Sequence, residues 1–88
     1  METELDTTAV ERLLAPLASS FDEAALHSLV QYRADQRAQN RIDELAEKCN
    51  EGTLTASEDR EYESLIQTAT VLAILQAEAK KILQTQHA

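Results

Sequence analysis

Aromatic side chains are almost missing from this chain: Phe21, Tyr32 and Tyr62 are the whole set, and tryptophan is absent. That shortage argues against a platform on which nucleic-acid bases stack. Basic residues are also scarce, 8 Lys and Arg against 16 Asp and Glu, for a net charge of −8. Phosphate backbones are gripped by clustered Lys and Arg, so no direct nucleic-acid binding is expected. The acidity suits solubility, or docking onto a basic protein surface. Cys49 stands alone, which excludes an intrachain disulfide and a cysteine-based zinc site. No apolar run reaches the roughly 18 residues of a membrane span. The opening Met1-Glu2-Thr3-Glu4 lacks the basic and apolar pattern of a leader. The expectation is a cytoplasmic protein without a membrane partner.

One glycine and one proline leave little to interrupt a helix, and the abundant Ala, Leu, Glu and Gln favour one. The expected fold class is all-α, a small helical bundle forming a single domain over residues 1–88. Its termini, 1–7 and 85–88, are expected to fray. The bundle is organised around an antiparallel helical hairpin, about residues 36–50 and 56–85, preceded by one or two shorter helices.

The hairpin rests on local signals. Asn50-Glu51-Gly52 ends one helix, because glycine takes the left-handed conformation that closes the last carbonyls. Thr55-Ala56-Ser57-Glu58 opens the next as a capping box. Roughly thirty residues then run without Gly or Pro, a helix of about 45 Å. A compact chain of this length has a radius of gyration of about 12 Å. Either the helix breaks, or its end packs on another subunit or partner.

Upstream, Thr8 with Glu11 is a possible capping box for a first helix over about 8–15, which Pro16 should end or kink. A second helix starts either with a Ser20–Glu23 box or with Asp22 as cap and Phe21 stapled on Leu26. It presents Leu26, Leu29 and Val30 on one side, with Arg33 as a further candidate. Asp35 marks either a fresh cap or an uninterrupted run. Ala38, Ile42, Leu45, Ala46 and Cys49 then continue at helical spacing, which makes Cys49 a buried thiol.

On the long helix Tyr62, Leu65, Ile66, Ala69, Leu72, Ala73, Ala79 and Leu83 form one stripe. Val71, Leu75 and Ile82 fall nearly opposite, with Ile74 between. This second face (Val71, Ile74, Leu75, Ile82) needs the N-terminal helices, a second copy or a foreign partner to cover it. A homo-oligomer is therefore expected.

The acids are bunched. Asp43, Glu44, Glu47, Glu51, Glu58, Asp59, Glu61 and Glu63 face only Lys48 and Arg60 over the same stretch. Such a cluster is either a solvated turn, its first-turn acids matched to the helix dipole, or a docking surface for a basic protein. Glu44 with Glu47 and Glu58 with Glu61 lack the Glu-x-x-His that di-metal bundles use, so neither metal nor cofactor is expected. His27 and His87 have no nucleophile or paired acid at a telling spacing. No enzymatic activity is expected. Arg33, Arg37 and Arg41, at four-residue steps, form the one basic stripe and are suited to pairing with the acidic hairpin.

From Arg33 to Leu83 the chain resembles a group of small bacterial proteins frequent in cyanobacteria and planctomycetes. The shared pattern covers Arg33-Ala34-Asp35, Arg41-Ile42-Asp43-Glu44-Leu45-Ala46, Asn50-Glu51-Gly52, Leu54-Thr55, Glu58, Glu61-Tyr62-Glu63, Ile74-Leu75-Gln76 and Ala79. Ala56 stands where relatives often have Pro, and Glu78 where they often have a basic residue. Members are often encoded beside an HNH-type nuclease. The resemblance thus implies an antitoxin, immunity or accessory subunit that binds a nuclease, and it carries over no binding residues.

Overall fold

The computed structural model describes residues 5–86, which hold four helices and no strand: α1 (Thr7–Ser19), α2 (Glu23–Gln31), α3 (Gln36–Glu51) and α4 (Ala56–Gln86). The fold is all-α. The first three helices open with the same device, Asp-x-x-Ala. Asp6, Asp22 and Asp35 each accept a hydrogen bond from the amide three residues on, at Ala9, Ala25 and Ala38, at 3.1, 2.8 and 2.8 Å. A short carboxylate at this position satisfies an amide that the helix itself leaves orphaned. The cap of α1 is therefore Asp6 and not the Thr8–Glu11 box. At α2 the alternative with Asp22 holds, and Asp35 starts a fresh helix.

α4 opens with a reciprocal pair. Thr55 Oγ1 accepts from the Glu58 amide and Glu58 Oε1 accepts from the Thr55 amide, both at 3.1 Å. α3 closes on Gly52 at φ 73°. The Gly52 amide bonds the Cys49 carbonyl at 3.1 Å and the Thr53 amide bonds that of Lys48 at 2.9 Å, a Schellman closure.

One boundary departs from expectation. α1 runs through Pro16 to Ser19. Proline costs a helix the bond to the carbonyl four residues back. Here that single loss falls near the end, where the Ser19 and Ser20 hydroxyls donate to the Ala15 and Leu17 carbonyls at 3.1 and 2.7 Å. Ala18, fully buried, anchors that last turn. At the other end α4 runs to Gln86, beside the expected end near 85; residues 1–4 and 87–88, with His87 and the fraying expected there, lie outside the described residues.

The chain divides into two compact units, with α4 contributing to both. In the first, α1 and α2 belong with α4 from Thr70 onward. Its core is Leu26, Ala79 and Leu83, against which Phe21, Leu29, Val30 and Ile82 pack. Gln76 Nε2 donates to the carbonyls of Leu29 and Tyr32, at 3.0 and 2.9 Å, and so ties α4 to the end of α2.

The second unit, Arg33–Ala69, is the hairpin of α3 and the first part of α4. Leu45 is fully buried there, and Ile42, Ala46, Leu54, Tyr62 and Leu65 are half-buried. Two readings of this region are corrected. Cys49 is exposed although it stands one turn beyond the fully buried Leu45: it lies in the last turn of α3, next to the Gly52 closure. Arg33 precedes α3, so the three arginines do not form one helical stripe.

Candidate functional site

The hairpin is where the chemistry of the chain is concentrated. Arg41, on α3, presents its Nε and Nη2 to Glu61 of α4 at 2.8 and 2.7 Å, a two-pronged pairing of guanidinium and carboxylate. Its Nη1 meets Glu44 one turn along the same helix, at 3.0 Å. Lys48 Nζ reaches Glu58 at 2.6 Å, and Arg41 Nη2 lies 3.9 Å from the same carboxylate. Moving along α3 from 41 to 48 moves back along α4 from 61 to 58, so the ion pairs register the two helices as antiparallel neighbours.

The ionisation of these groups follows the contacts. The hydrogen bond from Lys48, joined by the Thr55 amide, holds Glu58 below the usual carboxylate range. The hydrogen bond from Arg41 does the same for Glu61. In return Glu58 raises Lys48, and Glu61 followed by Glu44 raises Arg41.

The eight clustered acids are thereby sorted. Glu44, Glu58 and Glu61 are taken up by Arg41 and Lys48. Asp43 accepts only from Gln39, at 3.1 Å. Asp43, Glu47 and Glu51 follow one another at four-residue steps along an exposed face of α3. On α4, Asp59, Glu63 and Ile66 share a face, and Ile66 is 44% exposed. No ion pair among the described residues holds Asp43, Glu47, Glu51 or Asp59. Arg37 is exposed. Arg41 and Lys48 thus act as struts between the helices, and the outward faces keep an excess of negative charge.

The apolar positions named for association are placed differently from one another. Ile82 packs against Leu26, Ala79 and Leu83 of its own unit. Val71, Ile74 and Leu75 are half-buried. On the stripe assigned to the interior, Ala69 and Ala73 are exposed. The large apolar side chains most open to solvent are Leu13 at 77%, Tyr32 at 53%, Leu17 at 47% and Ile66, none of them on the second face.

Two polar residues that entered only through the resemblance, Gln76 and Glu78, hold structural positions. Gln76 lies among Ile74, Leu75 and Ala79, and a lone amide in an apolar run was the available signal. Glu78 is buried, with Lys81 Nζ at 3.2 Å. His27 is exposed on α2, 3.7 Å from Glu23. No group of three or more His, Cys, Asp or Glu among the described residues is arranged to hold a metal ion. No helix of the described chain is long and apolar enough to cross a membrane. No protein-family model matches the sequence, and neither a curated protein nor a solved structure is significantly similar to it.

Proposed function

We propose that this chain is a non-enzymatic interaction protein whose hairpin docks onto a basic protein surface. The observation that carries the reading is the sorting of the acids. Arg41 and Lys48 are engaged inside the hairpin, which leaves Asp43, Glu47, Glu51 and Asp59 exposed and outside the ion pairs among the described residues. Acids fixed on two cross-braced helices lose little conformational freedom on binding, which lowers the cost of association. Their charge speeds and orients the encounter, while apolar contacts, with Ile66 on the α4 face, supply the holding energy.

An HNH-type nuclease is the partner that the sequence resemblance implies, and nucleic-acid-binding enzymes present the basic surface this reading requires. The protein then acts as an antitoxin, immunity or accessory subunit. Co-expression with such a nuclease, followed by pull-down at low and high salt, tests it. A complex is expected, weakened by salt and weakened about tenfold or more by Glu47→Lys with Asp59→Lys. The absence of a complex at both salt concentrations overturns the reading.

A further inference from the structure

We propose that one exposed face of α4 receives a second copy of this chain, the two α4 helices running antiparallel about a two-fold axis at Thr70. α4 is one unbroken helix from Ala56 to Gln86. From Asp59 to Lys80 a strip follows alternating steps of four and three residues, at 59, 63, 66, 70, 73, 77 and 80, which keeps it on one side of the helix. Thr70 is half-buried and the other six are exposed. The middle of the strip is Ile66, 44% exposed, followed by the small Ala73 and Ala77.

Charge selects the occupant. The strip begins with two acids, Asp59 and Glu63, and ends between two bases, Lys80 and Lys81. The Lys81 side chain is 68% exposed even as it meets Glu78. Glu58 and Glu61 are drawn toward Lys48 and Arg41 of α3, away from this face. The face therefore carries as many bases as acids, although the chain as a whole stands at −8. A uniformly basic partner meets the lysines and a uniformly acidic one meets Asp59 and Glu63. A parallel copy sets like charge against like. Only the antiparallel copy matches both ends at once.

The register follows from the axis. With Thr70 beside its own counterpart, Ile66 of one copy lies against Ala73 of the other, a large side chain opposite a small one. Asp59 lies against Lys80 and Lys81, and Glu63 against Ala77, one turn from Lys80. Every contact occurs twice, as a self-complementary interface requires. From 59 to 81 the contact runs about 33 Å. Alanines on the seam let the axes come to the near end of the roughly 8–10 Å range of packed helices. Exposed ion pairs contribute little each, so they set sense and register while Ile66 and the alanines supply buried area. The strip shares Asp59 and Ile66 with the hairpin surface assigned above to a basic protein. A second copy and such a partner thus compete for α4, while Asp43, Glu47 and Glu51 of α3 stay open in both.

The inference does not rest on the nuclease reading, because its test uses this chain alone. Sedimentation equilibrium of the full chain from about 10 µM to 1 mM, at about 100 mM salt, is expected to show a mass rising toward twice the monomer. Lys80→Glu, which lies outside the hairpin, is expected to weaken association about tenfold, since each substitution is felt twice across the axis. Asp59→Lys is expected to do the same. The two together restore the pairing with its signs exchanged, and association returns to within about threefold of wild type. A wild-type monomer at every concentration overturns the proposal. So does a dimer indifferent to Lys80→Glu, or a double variant no stronger than the singles while its helicity by circular dichroism is unchanged. The wild-type series and Lys80→Glu decide by themselves if the double variant loses helicity.

Discussion

Gln76 shows how a single polar residue can do the work of a helix cap from a distance. Its amide donates to the carbonyls of Leu29 and Tyr32, where α2 has run out of partners of its own and has no basic residue in its last turn. Leu29 also accepts from the Tyr32 amide, so removing Gln76 leaves no buried carbonyl orphaned. Gln76→Ala is therefore expected to cost about 1 kcal/mol, the net worth of ordinary hydrogen bonds. Amide exchange should quicken at the end of α2 while α3 is unchanged. The lone amide in an apolar run marks the residue but not its role, because its partners lie 47 and 44 positions away. Gly52 and Thr55 were legible for the opposite reason, since each satisfies backbone groups within a few residues of itself, whereas Asp35 was legible only as one of two alternatives. Pro16 does not end α1, because it stands in the helix's last turns and the bond it removes is a single one.

At the scale of elements, the hairpin combines a readable turn with an electrostatic brace that was readable only in outline. Arginines and an acidic hairpin suggested pairing, but spacing did not say that Arg41 would bridge the helices at Glu61 while Arg33 fell outside α3. Arg41 and Glu61 are both more than a third exposed on one or both sides, and solvent screens such pairs. The brace thus fixes alignment more than it adds stability, and its contribution depends on pH. Glu58 and Glu61 are depressed by their partners. Their stabilisation is complete above the unfolded carboxylate value and is lost as pH falls through the lower folded values. Lys48 is raised, so its share is complete below the unfolded lysine value and is lost only as pH rises through the higher folded one. The hairpin is expected to be most stable between these limits and to weaken below about pH 4. Thermal unfolding followed by circular dichroism from pH 7 to pH 3 checks this. The Arg41→Gln variant should show a smaller loss on acidification, because Glu61 then no longer has its principal partner.

Across the whole molecule the reserve of stability is thin, and two side chains hold much of it. Leu26 and Leu45 are the largest fully buried residues, one in each unit. Which apolar face of a helix is covered depends on what the rest of the chain brings to it. For that reason the outward Leu13, Leu17 and Cys49 could not be told from inward residues by their spacing. At about 0.05–0.15 kcal/mol per residue, a chain of 88 residues is stable by roughly 4–13 kcal/mol. Truncating a buried leucine to alanine costs about 2–5 kcal/mol through lost burial and the cavity left behind. Leu26→Ala and Leu45→Ala are each expected to remove a large part of that reserve, measured as a fall in the denaturant midpoint. The two should differ in where protection is lost. Hydrogen exchange in Leu45→Ala should accelerate first over residues 36–69, and in Leu26→Ala over 7–31 and 70–86, because local opening follows the unit whose core has been hollowed. Identical exchange profiles for the two variants would show instead that α4, common to both units, makes them unfold as one.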